Sequence, residues 1–166
     1  MYNSAQELVE TLRATSQILE ALLRQVSDEQ ARSARGGDEN WSVVEVVCHL
    51  RDAEERAVER MRAMRDEESP RLRGYDQEAW ARERNYAAQD LHTALAGFLR
   101  LRQTHASDLA GLPPAAWERP GRHEEHGPVT ISNHTQHIVA HDAAHLAQIV
   151  RQLAPRMASG PPVPEQ

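Results

Sequence analysis

The sequence predicts an all-α fold, a bundle of four long helices. Apolar residues recur at a spacing of three and four in four separate stretches, the signature of amphipathic helices. No stretch alternates at a period of two, as a half-buried strand would. The core must be built from Leu, Val, Ala and Ile, because 40% of the chain is apolar but only 4% aromatic, and the abundance of Ala and Leu favours helix. A chain of 166 residues suits one such domain. It is expected to span residues 1–154, followed by a Pro-rich, disordered tail over 155–166.

The first helix opens at Ser4-Ala-Gln-Glu7, a capping box. Leu8, Leu12, Leu19, Leu22, Leu23 and Val26 give it an apolar face. Ser27-Asp-Glu-Gln30 can start one further turn before Gly36 to Asn40 breaks the pattern. A second capping box, Ser42 with Glu45, follows Trp41, which is placed to staple against Val46. The helix it opens runs to about Glu67, with Val43, Val46, Leu50, Ala53, Ala57, Met61 and Met64 on its inner face and His49 at the edge of that stripe. Arg51, Glu55, Glu59 and Arg62 form its solvated face.

Asp66 to Gln89 is a long connection holding Pro70, Gly74, Tyr75, Trp80 and Tyr86. Connections of this length are functional or carry a short helix of their own, and Tyr75 to Trp80 is the candidate. The connection is long enough that its two helices need not be antiparallel neighbours. Asp90 caps the third helix, which runs to about Gly111. Its core stripe of Leu91, Leu95, Phe98, Leu109 and Leu112 is interrupted by Arg102 and His105. An arginine in that position must be paired or must line a cavity. Glu118 to Pro128 reads as a polar loop with His123 and His126, and Thr130 caps the last helix, whose core stripe is Ile131, Ile138, Ile149 and Leu153.

Composition removes several function classes. No apolar run of about 18 residues exists, so no membrane span is expected, and the N-terminus lacks the pattern of a signal peptide. Cys48 is the single cysteine, which excludes an intramolecular disulfide and fits a reducing cytoplasm. A net charge of −6 argues against a nucleic-acid footprint. All 19 basic residues are arginine, so no lysine is available as a base or Schiff-base former. No phosphate loop, nucleotide motif or Ser-His-Asp order is apparent.

The chemistry concentrates in His134 to His145, which holds four of the nine histidines. His141 and His145 are four apart and share a helix face. His134 also lies on or beside the core stripe, and His137 toward its flank. An imidazole facing an apolar core needs a partner, and a divalent ion is the commonest way to satisfy two at that spacing. The bland alternative is a set of core histidines satisfied by protein groups. His49, on the second helix, is the candidate third ligand. His134 and His137 read as packing or supporting residues, His105 as a core or cavity histidine, and Cys48 as an ordinary packed thiol.

Trp41-Ser42, His49-Leu50-Arg51-Asp52, Gly127-Pro-Val-Thr130 and above all His141-Asp142-Ala-Ala-His145-Leu-Ala-Gln148-Ile149 resemble the DinB-like family of metal-binding four-helix bundles. Tyr75-Asp76 with Trp80, the helix of Arg102 and Trp117 to Gly121 resemble one branch of it. The resemblance reaches to about Val150; Ala147 departs from it, where glycine is common. It implies one divalent ion held by His49, His141 and His145, with zinc the expected metal and nickel, iron or manganese the alternatives. Members include S-transferases that use bacillithiol or mycothiol, maleylpyruvate isomerases, and many proteins described as hydrolases. A thiol S-transferase or related hydrolase is therefore expected, acting on a small molecule, with a low-molecular-weight thiol as possible co-substrate and a homodimer as possible assembly. A non-catalytic metal-binding stress protein is the alternative. Arg102, as a clamp for a carboxylate, and Gln148, as an orienting group one turn below His145, are the candidate catalytic residues.

Overall fold

The computed structural model describes residues 4–37 and 40–157. Four long helices form the bundle: α1 (Ala5–Leu23), α3 (Val43–Asp66), α5 (Leu91–Ala110) and α6 (Ile131–Met157). Two short ones, α2 (Asp28–Ser33) and α4 (Gln77–Glu83), lie in the connections. The helix starts follow the local chemistry. The Ser4 hydroxyl accepts from the Glu7 amide, and Ser42 and Glu45 cap α3 reciprocally. Asp90 accepts from the Thr93 amide at 2.7 Å. At the start of α6 the Thr130 amide donates to Asn133 Oδ1 at 2.9 Å, while Thr130 Oγ1 accepts from the Asn133 amide. These contacts satisfy amides that a helix start otherwise leaves unpaired. The helix expected in the second connection is α4, capped by Asp76. The last helix continues past Pro155 to Met157; the rest of the expected tail lies outside the described residues.

The expectation of a chain without any sheet needs correction. Arg35–Gly36 (β1) pairs antiparallel with Trp41–Ser42 (β2). A second sheet joins Arg71–Leu72 (β3), Pro120–His123 (β4) and Gly127–Thr130 (β5), with β4–β5 an antiparallel hairpin. These strands carry Pro, Gly, Arg and His rather than alternating apolar residues, so they leave no period in the sequence. Tertiary pairing forms them, as when the Arg122 amide donates to the Pro70 carbonyl at 2.8 Å. Gly127, at φ +72°, makes the hairpin turn. At Gly121 a side chain would meet Leu72 and Met64, each 2.8 Å from its first carbon, so the hairpin can lie directly on the end of α3.

Around the bundle, α5 lies between α1 and α3, and α6 between the same two on the other side. Helices α3 and α5 run parallel, since Glu54 meets Arg102 and, further along both, Arg62 meets Asp108. Helices α3 and α6 run antiparallel: His49 meets His141, and Trp41, one end of the pair, meets Gln152 at the other. Consecutive long helices that run parallel require the chain to travel back the length of α3, about 36 Å for its 24 residues. That return is why the connection over residues 67–90 is long.

The core has two apolar parts. One gathers Leu19, Leu23, Val43, Val47, Phe98 and Ile149; the other gathers Leu8, Leu12, Met61, Leu109, Ile131 and Ile138. Between them sits a buried polar layer centred on Arg102, which is only 1% exposed. Its guanidinium donates to both oxygens of Glu54 at 2.8 Å, to Asp142 at 2.5 Å, and to the Leu12 carbonyl at 3.1 Å. His105 Nδ1 lies 2.8 Å from Glu54 Oε1. No helix among the described residues is long and apolar enough to cross a membrane.

Removing one partner of a buried ion pair strands the others. Arg102→Met is expected to cost about 3–5 kcal/mol, read as a fall in the urea midpoint. The acid limb of stability follows from Glu54. Burial alone raises its carboxyl, but Arg102 and His105 outweigh it and hold it down from 4.5 to about 2. A carboxyl so depressed contributes fully above its unfolded value of 4.5 and loses that contribution as pH falls through about 2. The urea midpoint should therefore drop across that window, and less steeply in Glu54→Gln, which starts from a lower stability.

Candidate metal centre

The capping box that starts α3 sets the phase of that helix, and His49 consequently faces the bundle, 2% exposed. Its ring packs beside Trp41, with centroids 5.2 Å apart. His141 and His145 come from successive turns of α6 and are half-buried. Their ring centroids lie 5.0 and 4.8 Å from that of His49, and 4.5 Å from each other. One ring nitrogen of each residue lies within 4.8 Å of the other two. Residues expected to converge from two helices thus do converge.

The environment of His49 favours the neutral imidazole, which has a lone pair to offer. Burial first, then the neighbouring His141 and His145, push the His49 pKa down from 6.5 to about 2. His49 Nε2 and His141 Nε2 face each other at 2.9 Å. Gln148 orients His145: its Oε1 lies 2.8 Å from His145 Nδ1, while its Nε2 donates to the Gly36 carbonyl. The amide nitrogen is thereby turned to Gly36 and the oxygen to His145, so Nδ1 carries the hydrogen and Nε2 the lone pair. A tetrahedral ion with bonds of about 2.0–2.1 Å separates its ligand nitrogens by about 3.3 Å. The 2.9 Å contact needs to open by only about 0.4 Å to meet that. Three neutral nitrogen donors of borderline softness fit zinc or another first-row divalent ion. No fourth side chain joins the group among the described residues.

Beside the triad lies a cavity of ≈ 260 Å³, whose walls include His49, His141, Arg60, Tyr75, His123 and His137. Arg102, the expected clamp for a carboxylate, is not there. Its donors are taken up by Glu54, Asp142, Thr15 and a carbonyl in the core, so the buried ion pair is its role. His105 belongs to the same layer. His134 is buried on the far side of α6 from solvent, its pKa pushed down to about 3 chiefly by burial. Burial likewise pushes the Cys48 thiol up to about 12, which makes it unreactive at neutral pH.

Sequence reasoning passed over Glu54 and Arg60. An interior arginine at position 102 called for a carboxylate, and Glu54, one residue beyond the inner-face Ala53, was available. Arg60 is three helical turns from His49 and so on the same face of α3. That spacing was legible but unremarkable among so many arginines.

Comparison with known proteins agrees with this architecture. The solved structure of YfiT from Bacillus subtilis, described as a probable metal-dependent hydrolase with an unusual four-helix bundle topology, superposes with a TM-score of 0.85 over 96% of this chain and 91% of its own, at 24% identity. At that identity the likeness is one of fold. A relative from Oceanobacillus iheyensis, named a putative metal-dependent hydrolase, is 28% identical over 144 residues, 86% of this chain and 82% of its own length. The DinB superfamily profile matches residues 7–149. With the bundle, the triad and that match in agreement, this chain belongs to the DinB superfamily.

Proposed function

We propose that the chain is a divalent-metal-dependent enzyme, a hydrolase or a thiol transferase, that holds its ion on His49, His141 and His145. The observation that carries this reading is the open triad: three convergent imidazoles, no fourth protein ligand in the group among the described residues, and a cavity against His49 and His141. Structural zinc sites are closed by four protein ligands, whereas three leave a position for chemistry. A divalent ion there supplies Lewis acidity and a nucleophile ionised near neutral pH. The names carried by its relatives support metal-dependent hydrolysis, while the resemblance noted in its motifs supports transfer of a low-molecular-weight thiol. The residues contribute placement. Gln148 holds the His145 ring, Asp142 locks α6 to Arg102 between the two histidines, and Trp41 closes one side of His49.

His141 and His145 are paired by one helix, but His49 joins them only in the folded bundle, so binding couples to stability. His49→Ala should lose most zinc by elemental analysis after gel filtration and melt without the shift that zinc gives the parent. His137→Ala should retain its metal. Gln148→Leu should weaken zinc about 10- to 100-fold. Loss of metal in His137→Ala with full retention in His49→Ala would move the site onto α6 alone and overturn the assignment.

Turnover separates the chemistries. The zinc-loaded protein is to be assayed with activated esters and amides, and with low-molecular-weight thiols plus an electrophilic dye. Hydrolysis without thiol assigns a hydrolase, and thiol-dependent loss of the dye assigns a transferase. Full zinc occupancy with neither activity favours a metal-binding protein without catalysis.

The homodimer belongs to the same proposal. Among the described residues the large apolar side chains left exposed are Ile18 and Val150, at 52% and 47%, on α1 and α6. Light scattering at micromolar concentration should give twice the chain mass; a monomer there would remove the dimer from the reading.

A further inference from the structure

The cavity beside the triad carries a positive group without an ion-pair partner among the described residues. Arg60 lines it from α3. One terminal nitrogen of its guanidinium donates to the Arg73 carbonyl at 2.6 Å, but Nε is buried with no hydrogen-bond partner among the described residues. No carboxylate there comes within ion-pair distance of it, although most arginines of α3 are so paired. Burial and the like charge of Arg56 disfavour its charged form, and Glu125 and Glu59 offset them only in part. A desolvated guanidinium is costly unless paired. Here no direct ion pair is made among the described residues, and the free donor belongs to a side chain that lines a cavity.

The other walls also present donors. His123 is 6% exposed, and its Nδ1 accepts from the backbone amides of Glu125 and His126, at 3.2 and 3.4 Å. That places the ring hydrogen on Nε2 and makes His123 a donor. Burial raises the Tyr75 pKa and keeps its hydroxyl protonated. Glu125 is the exception, an exposed carboxylate lying over Gly74. With His123 and His126 it could instead form a second cation site, since their donor atoms lie within 4.8 Å of one another. The His123 tautomer speaks against that site: Nδ1 is already an acceptor for two amides and Nε2 has no lone pair.

We propose that this cavity binds its substrate through a carboxylate anchored on Arg60, with His123 and Tyr75 as supporting donors, while the group to be attacked lies at the triad. Arg60 is thus a specificity-determining residue for a small, compact anionic substrate. The inference rests on the triad holding a metal with an open position.

The test uses metal-binding heads with and without an anionic tail. Acetohydroxamate carries the head alone. The monohydroxamates of succinic, glutaric and adipic acid add a carboxylate at increasing reach, and their monoamides are the uncharged controls. Binding to the zinc-loaded protein is measured by calorimetry. At least one acid should bind about 10- to 100-fold more tightly than its amide. That advantage should vanish in Arg60→Gln and partly return in Arg60→Lys, while acetohydroxamate binds all three alike. No advantage at any length, or an advantage that persists in Arg60→Gln, overturns the proposal. So does a second zinc per chain that is lost in His126→Ala. If acetohydroxamate binds no variant, the metal reading has failed instead. Glutarate titrated into the metal-free protein then decides the anchor alone: saturable shifts of the His123 and Tyr75 ring resonances in the parent but not in Arg60→Gln uphold it, and their absence overturns it.

Discussion

A buried guanidinium cannot shed its charge, and the rest of this bundle is arranged around that fact. Arg102 on α5 reaches Leu12 and Thr15 on α1, Glu54 on α3 and Asp142 on α6. All four long helices therefore meet at one side chain. Apolar packing alone tolerates small rotations and slides of a helix. A forked donor shared between two carboxylates tolerates them far less, because each misplaced oxygen leaves a buried charge unpaired. The pair of apolar clusters above and below this layer supplies the drive to fold, and the layer supplies the register.

That register is what makes the triad. Asp142 must face Arg102, and on a helix this dictates where His141 and His145 point. At about 100° per residue both fall on the same side of Asp142, turned toward α3. On α3 the same logic works through two residues five apart: Glu54 is directed to the ion-pair layer and His49 is left for α6. A change at Arg102 would thus reach the triad without touching it. The parallel run of α3 and α5 matters as well. It sends the second connection back along the bundle, which brings Tyr75 to the cavity, while the β4–β5 hairpin brings His123.

The charge balance of the site differs from that of the core layer beside it. In the core, Arg102 faces two carboxylates. In the cavity, imidazoles adjoin an arginine with no carboxylate within ion-pair distance among the described residues, the acidic wall residue Glu125 being exposed. A divalent ion on neutral ligands keeps its full charge and would deepen that excess of positive charge, which favours an anionic visitor. The chain's net charge of −6 says nothing of this, since the acidic residues lie mainly on the outside.

Much of this was legible in the sequence because it depends on neighbours along the chain. The helix starts at Ser4, Ser42, Asp90 and Thr130, the amphipathic stripes, and the common face of His141 and His145 all follow from spacing and local hydrogen bonding. So did the demand that Arg102 find a partner or a cavity, though not which. Only the tertiary structure chose between them, by bringing Glu54 and Asp142 to Arg102 from helices far apart in the chain. It also formed strands from segments with no strand pattern, through backbone pairing between β3 and β4, where Arg71 meets Arg122 and Leu72 meets His123. And it set Arg60, Tyr75 and His123 around one cavity. Periodicity reports which face of a helix is buried. It does not report which helix that face will meet, and in this protein both the ion-pair layer and the cavity are made where different helices meet.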